Sequence, residues 1–451
     1  MLFTTDKQTL DDLNIFGKHG SDSVYQIFNR TNTRGGAALL EAMFQYPLSD
    51  ADAVNKRSGI IQYFAAMNWQ FPFATAWFDA AELYLSNTDE RTKLSAQDHS
   101  VTQRLSNLVA TDAETTTIHN GITALTDLLQ GLRDFIGALQ LEAGHCYFVD
   151  YQAIRAQLHS NAFSVLFSRP RKGRLSAAVF AEYDALLRFR YRDEVKRLLT
   201  YVYQLDVYQS VARVAMERGF IFPKALPRDR HLLRLKGVYH PQVKNAVANN
   251  ISIDERSNVI FLTGANMAGK STFMKSLSIA LFLAHAGFPV AAAEMEFSVL
   301  DGIYTTINLP DDLGMGASHF YAEVLRAKKI AAELQSGKQL FVLFDELFRG
   351  TNVKDACEAT VAFTEAFAHK PGSMFVISTH IIEAGEVLKE RNDHIQFVFL
   401  PTKMNGNKPV YTYTLEEGLT ADRHGMIIIN NEGILEILRK GLERIHKKPI
   451  N

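Results

Sequence analysis

Residues 264–272 combine, at a fixed spacing, the residue types that bind a nucleotide phosphate. They are Gly264, Ala265, Asn266, Met267, Ala268, Gly269, Lys270, Ser271 and Thr272. The pattern is G-x-x-x-x-G-K-S-T, a Walker A phosphate loop. In such a loop the backbone N–H groups wrap the phosphates, and the following helix adds the positive end of its dipole. We therefore predict that Lys270 reaches the β- and γ-phosphates of ATP and that the Ser271 hydroxyl binds Mg²⁺.

Two acidic residues and a histidine follow other apolar runs and complete a hydrolytic set. Residues 340–344 are apolar and are followed by Asp345 and Glu346, as in a Walker B strand. We predict that Asp345 supports the Mg²⁺ shell and that Glu346 orients or deprotonates the attacking water. A third apolar run ends at His380, where a histidine can sense the γ-phosphate. Such a histidine can also be structural, but the order of the three motifs favours the functional interpretation.

The elements around these motifs are those that a phosphate loop requires. Residues 258–263 are apolar and β-branched and predict a buried strand, and residues 273–284 predict a helix. From residue 231 to about 438, strands and helices alternate, which is typical of an α/β sheet domain. Residues 222–229 contain two prolines and predict a linker in front of this domain.

Two further segments could contact a nucleotide. Tyr239 and His240 precede the phosphate loop; an aromatic ring there could stack on adenine, and a simple turn explains the pair equally well. Ser318 follows a glycine-rich stretch at a predicted helix start, which is a geometry that binds anions. Because Lys270 already serves the nucleotide of its own chain, we predict that Ser318 contacts the nucleotide of a second subunit. An ordinary capped helix is the alternative.

Residues 1 to about 225 predict a helical region. Residues 112–140 carry apolar side chains along one face of a helix, namely Ile118, Ile122, Leu125, Leu129, Leu132 and Ile136. Residues 176–215 form the longest uninterrupted helical pattern, and about 40 residues at ~1.5 Å each would span about 60 Å. A helix of this length predicts a projecting arm. The predicted fold class is therefore multidomain, with an α domain followed by an α/β domain.

Between the two long helices, residues 168–174 are basic and turn-like. Their cationic side chains are Arg169, Arg171, Lys172 and Arg174. Such a tip could contact the phosphates of a DNA backbone. A solvated hairpin fits the same composition, and residue types alone favour the hairpin.

The composition limits the class of protein. A length of 451 residues suggests two or three domains, and 47% hydrophobic residues allow a substantial core. The formal net charge of −1 gives no global basic excess, so any DNA contact depends on a local patch. Two cysteines do not make a disulfide framework, and neither a signal peptide nor a membrane span is evident. These features predict a cytoplasmic protein with no membrane partner.

The order of the motifs resembles that of the MutS family of DNA mismatch-repair ATPases, an ABC-like class. The phosphate loop resembles the family's Walker A, including Asn266 and Met267. Residues 311–313 with 316–318 resemble the family's signature segment, and residues 345–352 resemble its Walker B and dimer-contact loop. Residues 378–380 resemble its switch-histidine segment, and residues 418–425 resemble its end. Upstream, the similar segments are 9–16, 35–36, 47–48, 205–207 and 234–241. The resemblance therefore covers most of the chain.

The resemblance implies a helical core and lever domain followed by an ABC-like P-loop ATPase domain. The implied limits are 1–120 for the helical core, 121–225 for the lever helices with a reduced clamp tip, and 226–451 for the ATPase. It also implies a homodimer through the ATPase domains that holds two ATP molecules with Mg²⁺ and moves its arms on DNA. The family's mismatch-recognition and connector domains would precede residue 9, so we expect the chain to lack them and to discriminate mismatches weakly.

Three functions are compatible with these residues. The first is a DNA-binding ATPase of the MutS class, acting in repair or recombination. The second is an ATP-switched ATPase whose arms hold a protein partner and which binds no DNA. The third is a degenerate nucleotide binder, against which the intact Lys270 and Glu346 argue. Thr306 and Phe348 depart from the family, which usually carries arginine and glycine there.

Overall fold

The structure is a computed structural model in which the chain forms two compact units. It describes residues 3–17, 22–67, 69–94, 110–168, 175–265, 267–307, 309, 319–406, 408–420 and 433–438. The first unit, which we call the sheet unit, comprises Met1–Ile27, Tyr46–Ser58 and Arg218–Asn451; the second, the helical unit, comprises Phe28–Gln45 and Gly59–Glu217. The sheet unit thus includes amino-terminal residues that the sequence assigned to the helical domain. The implied limits at residues 120 and 225 stay predictions.

α-Helices come first in the described chain, and strands interspersed with four further α-helices follow from Lys224 onward. The α-helices are α1 (Lys7–Asp12), α2 (Val24–Phe28), α3 (Arg34–Gln45), α4 (Ala51–Met67), α5 (Thr75–Ser86), α6 (Ala110–Ala138), α7 (Phe148–Leu158), α8 (Asn161–Phe167), α9 (Ala177–Asp184), α10 (Arg192–Arg218), α11 (Lys270–His285), α12 (His319–Gln335), α13 (Val353–Ala368) and α14 (Ile382–Arg391). The strands are β1 (Lys224–Leu226), β2 (Leu233–Val238), β3 (Asn249–Ile253), β4 (Val259–Gly264), β5 (Glu294–Ser298), β6 (Gly302–Thr306), β7 (Leu340–Phe344), β8 (Met374–Ser378), β9 (Ile395–Leu400), β10 (Thr402–Asn405), β11 (Lys408–Tyr411) and β12 (Glu416–Glu417).

The main sheet of the sheet unit has the order β12-β9-β4-β8-β7-β6 in the described part of the chain. All neighbouring strands are parallel except the pair β12–β9. Strands β4, β7 and β8 are buried along their whole length, which confirms the three buried strands predicted from the apolar runs. Since the carboxyl ends of parallel strands lie at one edge of a sheet, the segments that follow these strands meet there.

A second, smaller sheet corrects one prediction. Its order is β1-β5-β2-β3, and β1 pairs with β5 in parallel. The prediction that 222–229 is a linker is therefore wrong, because Lys224–Leu226 is an edge strand of this sheet. Prolines are tolerated at strand ends and on sheet edges, where no ladder hydrogen bond is lost, so Pro223 and Pro227 flank the strand without disrupting it.

The amino-terminal helix α1 is held on the sheet unit by Asp6. The Asp6 carboxylate accepts hydrogen bonds from the backbone N–H of Thr9 (3.1 Å) and from Lys329 Nζ (2.7 Å), and it forms an ion pair with Arg326. Burial alone would raise the pKa of Asp6, but the hydrogen bonds from Arg326 and Lys329 outweigh burial and hold that pKa well below its usual range. Asp6 therefore stays charged in the folded chain.

This arrangement predicts an acid-sensitive contribution to stability. A depressed pKa contributes stability that is fully present above the unfolded value of about 4 and is lost as the pH falls through the folded value. We expect Asp6→Asn to be less stable than the unmodified chain at pH 6, with the difference shrinking progressively below about pH 4. Urea unfolding at a series of pH values measures this difference. A difference that is the same at pH 6 and pH 2.5 would contradict the assignment.

The helical unit packs the predicted apolar face of α6 into its core. Ile118, Ile122, Leu125, Leu129, Leu132 and Ile136 are each at most 3% exposed. The helix runs from Ala110 to Ala138, close to the predicted 112–140. Gly121 permits the close approach of α5, since a Cβ atom there would lie 2.2 Å from the Cβ of Tyr84. The prediction of a long helix with one apolar face is confirmed.

The helix predicted over 176–215 is interrupted, contrary to expectation. Helix α9 ends at Asp184, a π-helical turn covers Ala185–Arg190, and α10 begins at Arg192. Arg188 within the π turn is buried and donates to Asp184 (2.7 Å) and to the carbonyl of Thr92 (2.9 Å). Apolar periodicity does not distinguish an α from a π register, and a buried ion pair of this kind fixes the local geometry.

Asp206 on α10 organises the start of α3 in the same unit. Its fully buried carboxylate accepts hydrogen bonds from the backbone N–H groups of Asn32 (2.9 Å) and Thr33 (2.8 Å). It also accepts from the side chains of the same two residues, at 2.9 and 2.7 Å. A buried carboxylate with several donors is strongly bound, and its removal leaves those donors unpaired.

We expect Asp206→Ala to lower the free energy of unfolding by about 3 kcal/mol or more, because several buried donors lose a charged acceptor. Asp206→Asn keeps one carbonyl oxygen and should lie between this variant and the unmodified chain. Asp193→Ala is the matched control: Asp193 is an exposed acid on the same helix, and its loss should cost less than about 1 kcal/mol. Equal losses for Asp206→Ala and Asp193→Ala in urea unfolding would argue against this role for Asp206.

Within the described residues, no helix is both long enough and apolar enough to cross a lipid bilayer.

Candidate nucleotide-binding site

The segments predicted to bind a nucleotide meet at the carboxyl edge of the main sheet. The loop 264–272 follows β4, Asp345 and Glu346 follow β7, and His380 follows β8, which lies between the other two strands. Gly269 ends the loop with a left-handed backbone (φ 97°), a conformation that glycine adopts without the strain of a side chain. Lys270 and Ser271 then open helix α11, so their side chains and the helix amino terminus face the same edge.

Lys270 is buried under the loop that precedes it. Only 3% of the residue is exposed, and its Nζ donates to the carbonyl oxygens of Gly264 (2.7 Å) and Ala265 (3.2 Å). Burial lowers the pKa of the Lys270 amine, while the nearby carboxylates of Asp345 and Glu346 oppose this shift. A buried ammonium of this kind is stabilised further by an anion at the loop.

Ser271 and Asp345 form a hydroxyl–carboxylate pair. Ser271 Oγ donates to Asp345 Oδ2 (2.5 Å), and the other carboxylate oxygen accepts from Ser378 Oγ (2.6 Å). One hydroxyl and one carboxylate suit Mg²⁺, which keeps several waters and is bound through few protein ligands together with substrate phosphates. Among the described residues no group of three or more acidic, histidine or cysteine side chains is placed to hold a metal, and Mg²⁺ with a nucleotide requires none.

Glu346 lies between two basic side chains. Its Oε1 contacts His380 Nε2 (2.7 Å) and its Oε2 contacts Arg349 Nη1 (2.5 Å). The hydrogen bond with His380 lowers the pKa of Glu346 to about 2, against the opposing effect of burial and with further help from Arg349. The backbone N–H of Glu346 donates to Ser378 Oγ (3.2 Å). Ser378 therefore orients the Asp345 carboxylate and holds the backbone of Glu346. Sequence reasoning missed this role, although the residue stands at the polar end of β8.

Ser271, Asp345, Glu346 and Arg349 border a cavity of about 260 Å³, whereas Lys270, Ser378 and His380 are not among its lining residues. Its lining residues are Ser271, Thr306, Ile307, Leu309, Glu323, Asp345, Glu346 and Arg349. Glu346 and Phe348 adopt left-handed backbone conformations (φ 54° and 62°), so Phe348 retains the backbone that a glycine would favour at this position. Strain at non-glycine residues is often concentrated at functional sites.

Tyr413 is the aromatic residue that the structure places against the phosphate loop. A Cβ atom on Gly269 would lie 2.9 Å from Tyr413 Cδ1. Tyr413 itself is 46% exposed. Asn249 fixes this segment, since it donates to the Tyr413 carbonyl (2.9 Å) and accepts from the N–H of Leu415 (2.7 Å). Tyr413 is far from the loop in sequence, and no local pattern signals the contact.

Tyr239 and His240 follow strand β2 in the sheet unit. The Tyr239 ring packs against Phe220 (centroids 6.4 Å apart), and burial, with a contribution from Lys275, lowers the pKa of His240 to about 4. Between this pair and the described residues of the loop we find no hydrogen bond or ring contact. Their role in binding adenine stays a prediction.

Several predicted positions fall outside the described residues. They are Asn266, the signature residues 311–318 with Ser318, and the basic side chains Arg169, Arg171, Lys172 and Arg174. Met267 is 67% exposed, Ala268 is buried and Thr272 is exposed on the loop. The shared site and the DNA contact are therefore not described by this structure.

Comparison with known proteins agrees with the geometry of the site. The family model described as MutS domain V matches residues 260–446. A DNA mismatch repair protein MutS of Bacillus cytotoxicus is 33% identical over 258 residues, which are 54% of this chain and 28% of the relative. MutS of Fusobacterium nucleatum is 29% identical over 57% of this chain and 29% of its own length. MutS of Persephonella marina is 28% identical over 59% of this chain and 31% of its own length.

The chain spans less than a third of the length of these relatives. The matched residues nevertheless contain the strand–loop–helix of the phosphate site, both acidic residues after β7 and the histidine after β8. Residues 260–446 therefore match the MutS domain V family, and the chain is MutS-like over this part.

Proposed function

We propose that this chain is a Mg²⁺-dependent ATPase that hydrolyses ATP to ADP and phosphate. The observation that carries the proposal is the placement of Ser271, Asp345 and Glu346 around one cavity at the sheet edge, beside the buried Lys270. This combination provides a phosphate cation, a metal-binding pair and a carboxylate that can act on water. The relatives named above are DNA mismatch repair proteins, and that broader context supports the assignment.

The chain's own residues would divide the work as follows. Lys270 would leave the loop carbonyls and bind the β- and γ-phosphates, while Ser271 and Asp345 would hold Mg²⁺. The metal supplies charge neutralisation on the phosphate oxygens. Ser378 keeps the Asp345 carboxylate oriented by its hydrogen bond. The exposed ring of Tyr413, next to the loop, offers a stacking face for the base.

Glu346 would orient the attacking water and accept its proton. In the present arrangement His380 and Arg349 both bind the carboxylate, which makes it anionic but a weak base. A carboxylate held by two basic side chains accepts a proton less readily than one held by a single partner. At least one of these contacts must therefore loosen in the reactive complex, and Arg349, whose side chain is 68% exposed, is free to move at low cost.

We extend the proposal to the assembly by analogy with the relatives. Two chains would pair through their ATPase domains, and Ser318 of each would contact the nucleotide of the other. Nucleotide binding would then move lever arms on DNA, with Arg169, Arg171, Lys172 and Arg174 contacting the backbone. The support is family resemblance and residue type.

If the arms bind DNA, the contact should depend steeply on salt. Logarithmic affinity should fall with logarithmic salt concentration at a slope of about −0.9 per phosphate neutralised. Electrophoretic mobility shift with duplex, mismatched and branched DNA, with and without ATP, measures this slope. Replacing the four basic residues by Ala should weaken binding to all sequences. Undetectable binding to every DNA at low salt would support the alternative in which the arms hold a protein partner.

A further inference from the structure

Strand β6 leads into the wall of the nucleotide cavity. It is the last strand in the order of the main sheet, where β7 is its neighbouring strand, and an isolated bridge joins Gly302 to Thr4 on its other side. The residues at its carboxyl end and just beyond, Thr306, Ile307 and Leu309, line the cavity together with Ser271 and Asp345. On its inner side this segment is held by β7, since the Asp345 N–H donates to the Thr306 carbonyl (2.9 Å). The position of this part of the cavity wall therefore also depends on what holds the outer edge of β6.

The amino-terminal segment of the chain holds that edge. Three alternate backbone N–H groups on the outer side of β6 have acceptors in this segment. Ile303 donates to the Thr4 carbonyl (3.0 Å), Thr305 donates to Thr9 Oγ1 (3.0 Å), and Ile307 donates to Asp12 Oδ2 (2.9 Å). Every second residue of an edge strand presents its N–H outward, so residues 4–12 take the place of a missing sheet neighbour.

Asp12 makes the contact nearest to the cavity. Besides the N–H of Ile307, its Oδ2 accepts from the Thr305 hydroxyl (2.8 Å). Asp12 is 3% exposed and Thr305 is fully buried, so water cannot readily replace the carboxylate. A buried N–H that loses its acceptor is costly, and the backbone moves to recover a partner.

A second element joins the same cluster. Arg326 on α12 donates to the Thr305 carbonyl (2.7 Å) and is ion-paired with Asp6 at the start of α1. Helix α12 also carries Glu323, which lines the cavity. Helix α1 is thereby tied both to the strand and to the helix that border the nucleotide site.

We propose that Asp12 is a positioning residue of the nucleotide site and that helix α1 is a structural part of the ATPase. Asp12 holds residues 305–307, two of which line the cavity, in place beside Ser271 and Asp345, the residues that would hold Mg²⁺. The inference rests on the proposed function. It concerns a residue that belongs to none of the nucleotide-binding motifs, although it lies in the upstream segment 9–16 that resembles the family, and that is more than 250 residues away from the phosphate loop in sequence.

The test compares Asp12→Ala with Asp12→Asn. The Ala variant removes the acceptor of Ile307 and Thr305, whereas the Asn variant keeps a carbonyl oxygen there. Small displacements of the residues around a reactive site lower the rate of reaction strongly. We therefore expect Asp12→Ala to reduce kcat about 10- to 100-fold. We expect the affinity for ADP without Mg²⁺ to change by less than about threefold, because Lys270 does not depend on Asp12. Asp12→Asn should recover most of the rate.

Asn55→Ala is the matched control for lost stability. Asn55 makes two hydrogen bonds to the backbone of Ala225 in the same unit, at 2.8 and 3.0 Å, and touches no residue of the cavity wall. It should lower the melting temperature without lowering kcat. If Asp12→Ala retains the rate of Asn55→Ala, or if Asp12→Asn is as slow as Asp12→Ala, the positioning role is wrong.

Hydrogen exchange adds a test whose first part uses only the unmodified chain, in which the amide of Ile307 should be protected. In a second part, Asp12→Ala should speed the exchange of the Ile307 amide more than the exchange of the β7 amides. An unprotected Ile307 amide would overturn the inference. If the unmodified chain does not hydrolyse ATP, the proposed function fails by itself, and the exchange of Ile307 still decides whether Asp12 holds this wall.

Discussion

Glu346→Gln is expected to slow ATP hydrolysis by about 10²-fold or more while leaving binding of Mg²⁺ and ATP intact. The amide is close in size to the carboxylate and can still contact His380, but it cannot accept a proton from water. Lys270, Ser271 and Asp345 are unchanged, so the phosphates and the metal keep their partners. Rates of phosphate release and nucleotide affinity, measured on the same preparation, separate the two effects.

Glu383→Gln is a suitable control for this substitution, since Glu383 is an exposed acid in the first turn of α14, close in sequence to His380. It should hydrolyse ATP at the unmodified rate. A normal rate in Glu346→Gln would mean that Glu346 is not the base. Because slow hydrolysis should also retain a nucleotide-bound dimer, light scattering of Glu346→Gln with saturating ATP tests the shared site, and a monomer under these conditions would decide against it.

Lys270→Ala is expected to weaken ATP binding by at least about 10²-fold, which corresponds to the loss of about 3 kcal/mol from charge-assisted hydrogen bonds. The lysine is almost completely buried beneath the loop, so no solvent cation can take its position next to the phosphates. The backbone N–H groups of the loop and the helix dipole remain, and some residual binding should persist.

Lys389→Ala provides the comparison, because Lys389 is an exposed lysine on α14, away from the cavity. Equilibrium binding of a fluorescent ATP analogue should distinguish the two variants. Unchanged affinity in a correctly folded Lys270→Ala protein would remove the basis for reading residues 264–272 as a phosphate loop. Thermal unfolding without nucleotide checks that both variants are folded.

The central part of the site could be predicted because it is locally encoded. Each functional side chain follows directly after an apolar run, and such runs predict buried parallel strands. Once β4, β7 and β8 are parallel neighbours, Lys270, Asp345 and His380 must emerge at one edge. The apolar runs therefore predict the buried strands, and the strands in turn predict that the candidate catalytic residues lie close together.

What the sequence could not provide depends on distant contacts or on side-chain rotamers. The hydrogen bond of Ser378 to Asp345 depends on the register of β8 against β7. The ion pair of Arg349 with Glu346, three residues apart, depends on the rotamers of the two side chains. Asp12 contacts Ile307 although 295 positions separate them in the sequence, and no periodicity links the two. The same holds for Tyr413 beside Gly269.

Two errors in the fold predicted from the sequence have a physical explanation. The prolines of 222–229 were compatible with a linker, but an edge strand of three residues accommodates them at its ends. The helix predicted over 176–215 keeps its apolar pattern through the π turn, because the turn changes the hydrogen-bond register without removing apolar side chains from the core. The buried pair of Arg188 and Asp184 is the feature that sequence periodicity does not report.

The most direct test of this account is the steady-state release of phosphate from ATP by the purified chain with Mg²⁺, with excess EDTA, and with the Glu346→Gln variant. We predict saturable release with Mg²⁺, loss of release in EDTA, and a rate at least about 10²-fold lower for the variant. Release that continues unchanged in EDTA, or that is equal in the unmodified and Glu346→Gln chains, would contradict an ATPase built from Lys270, Ser271, Asp345 and Glu346.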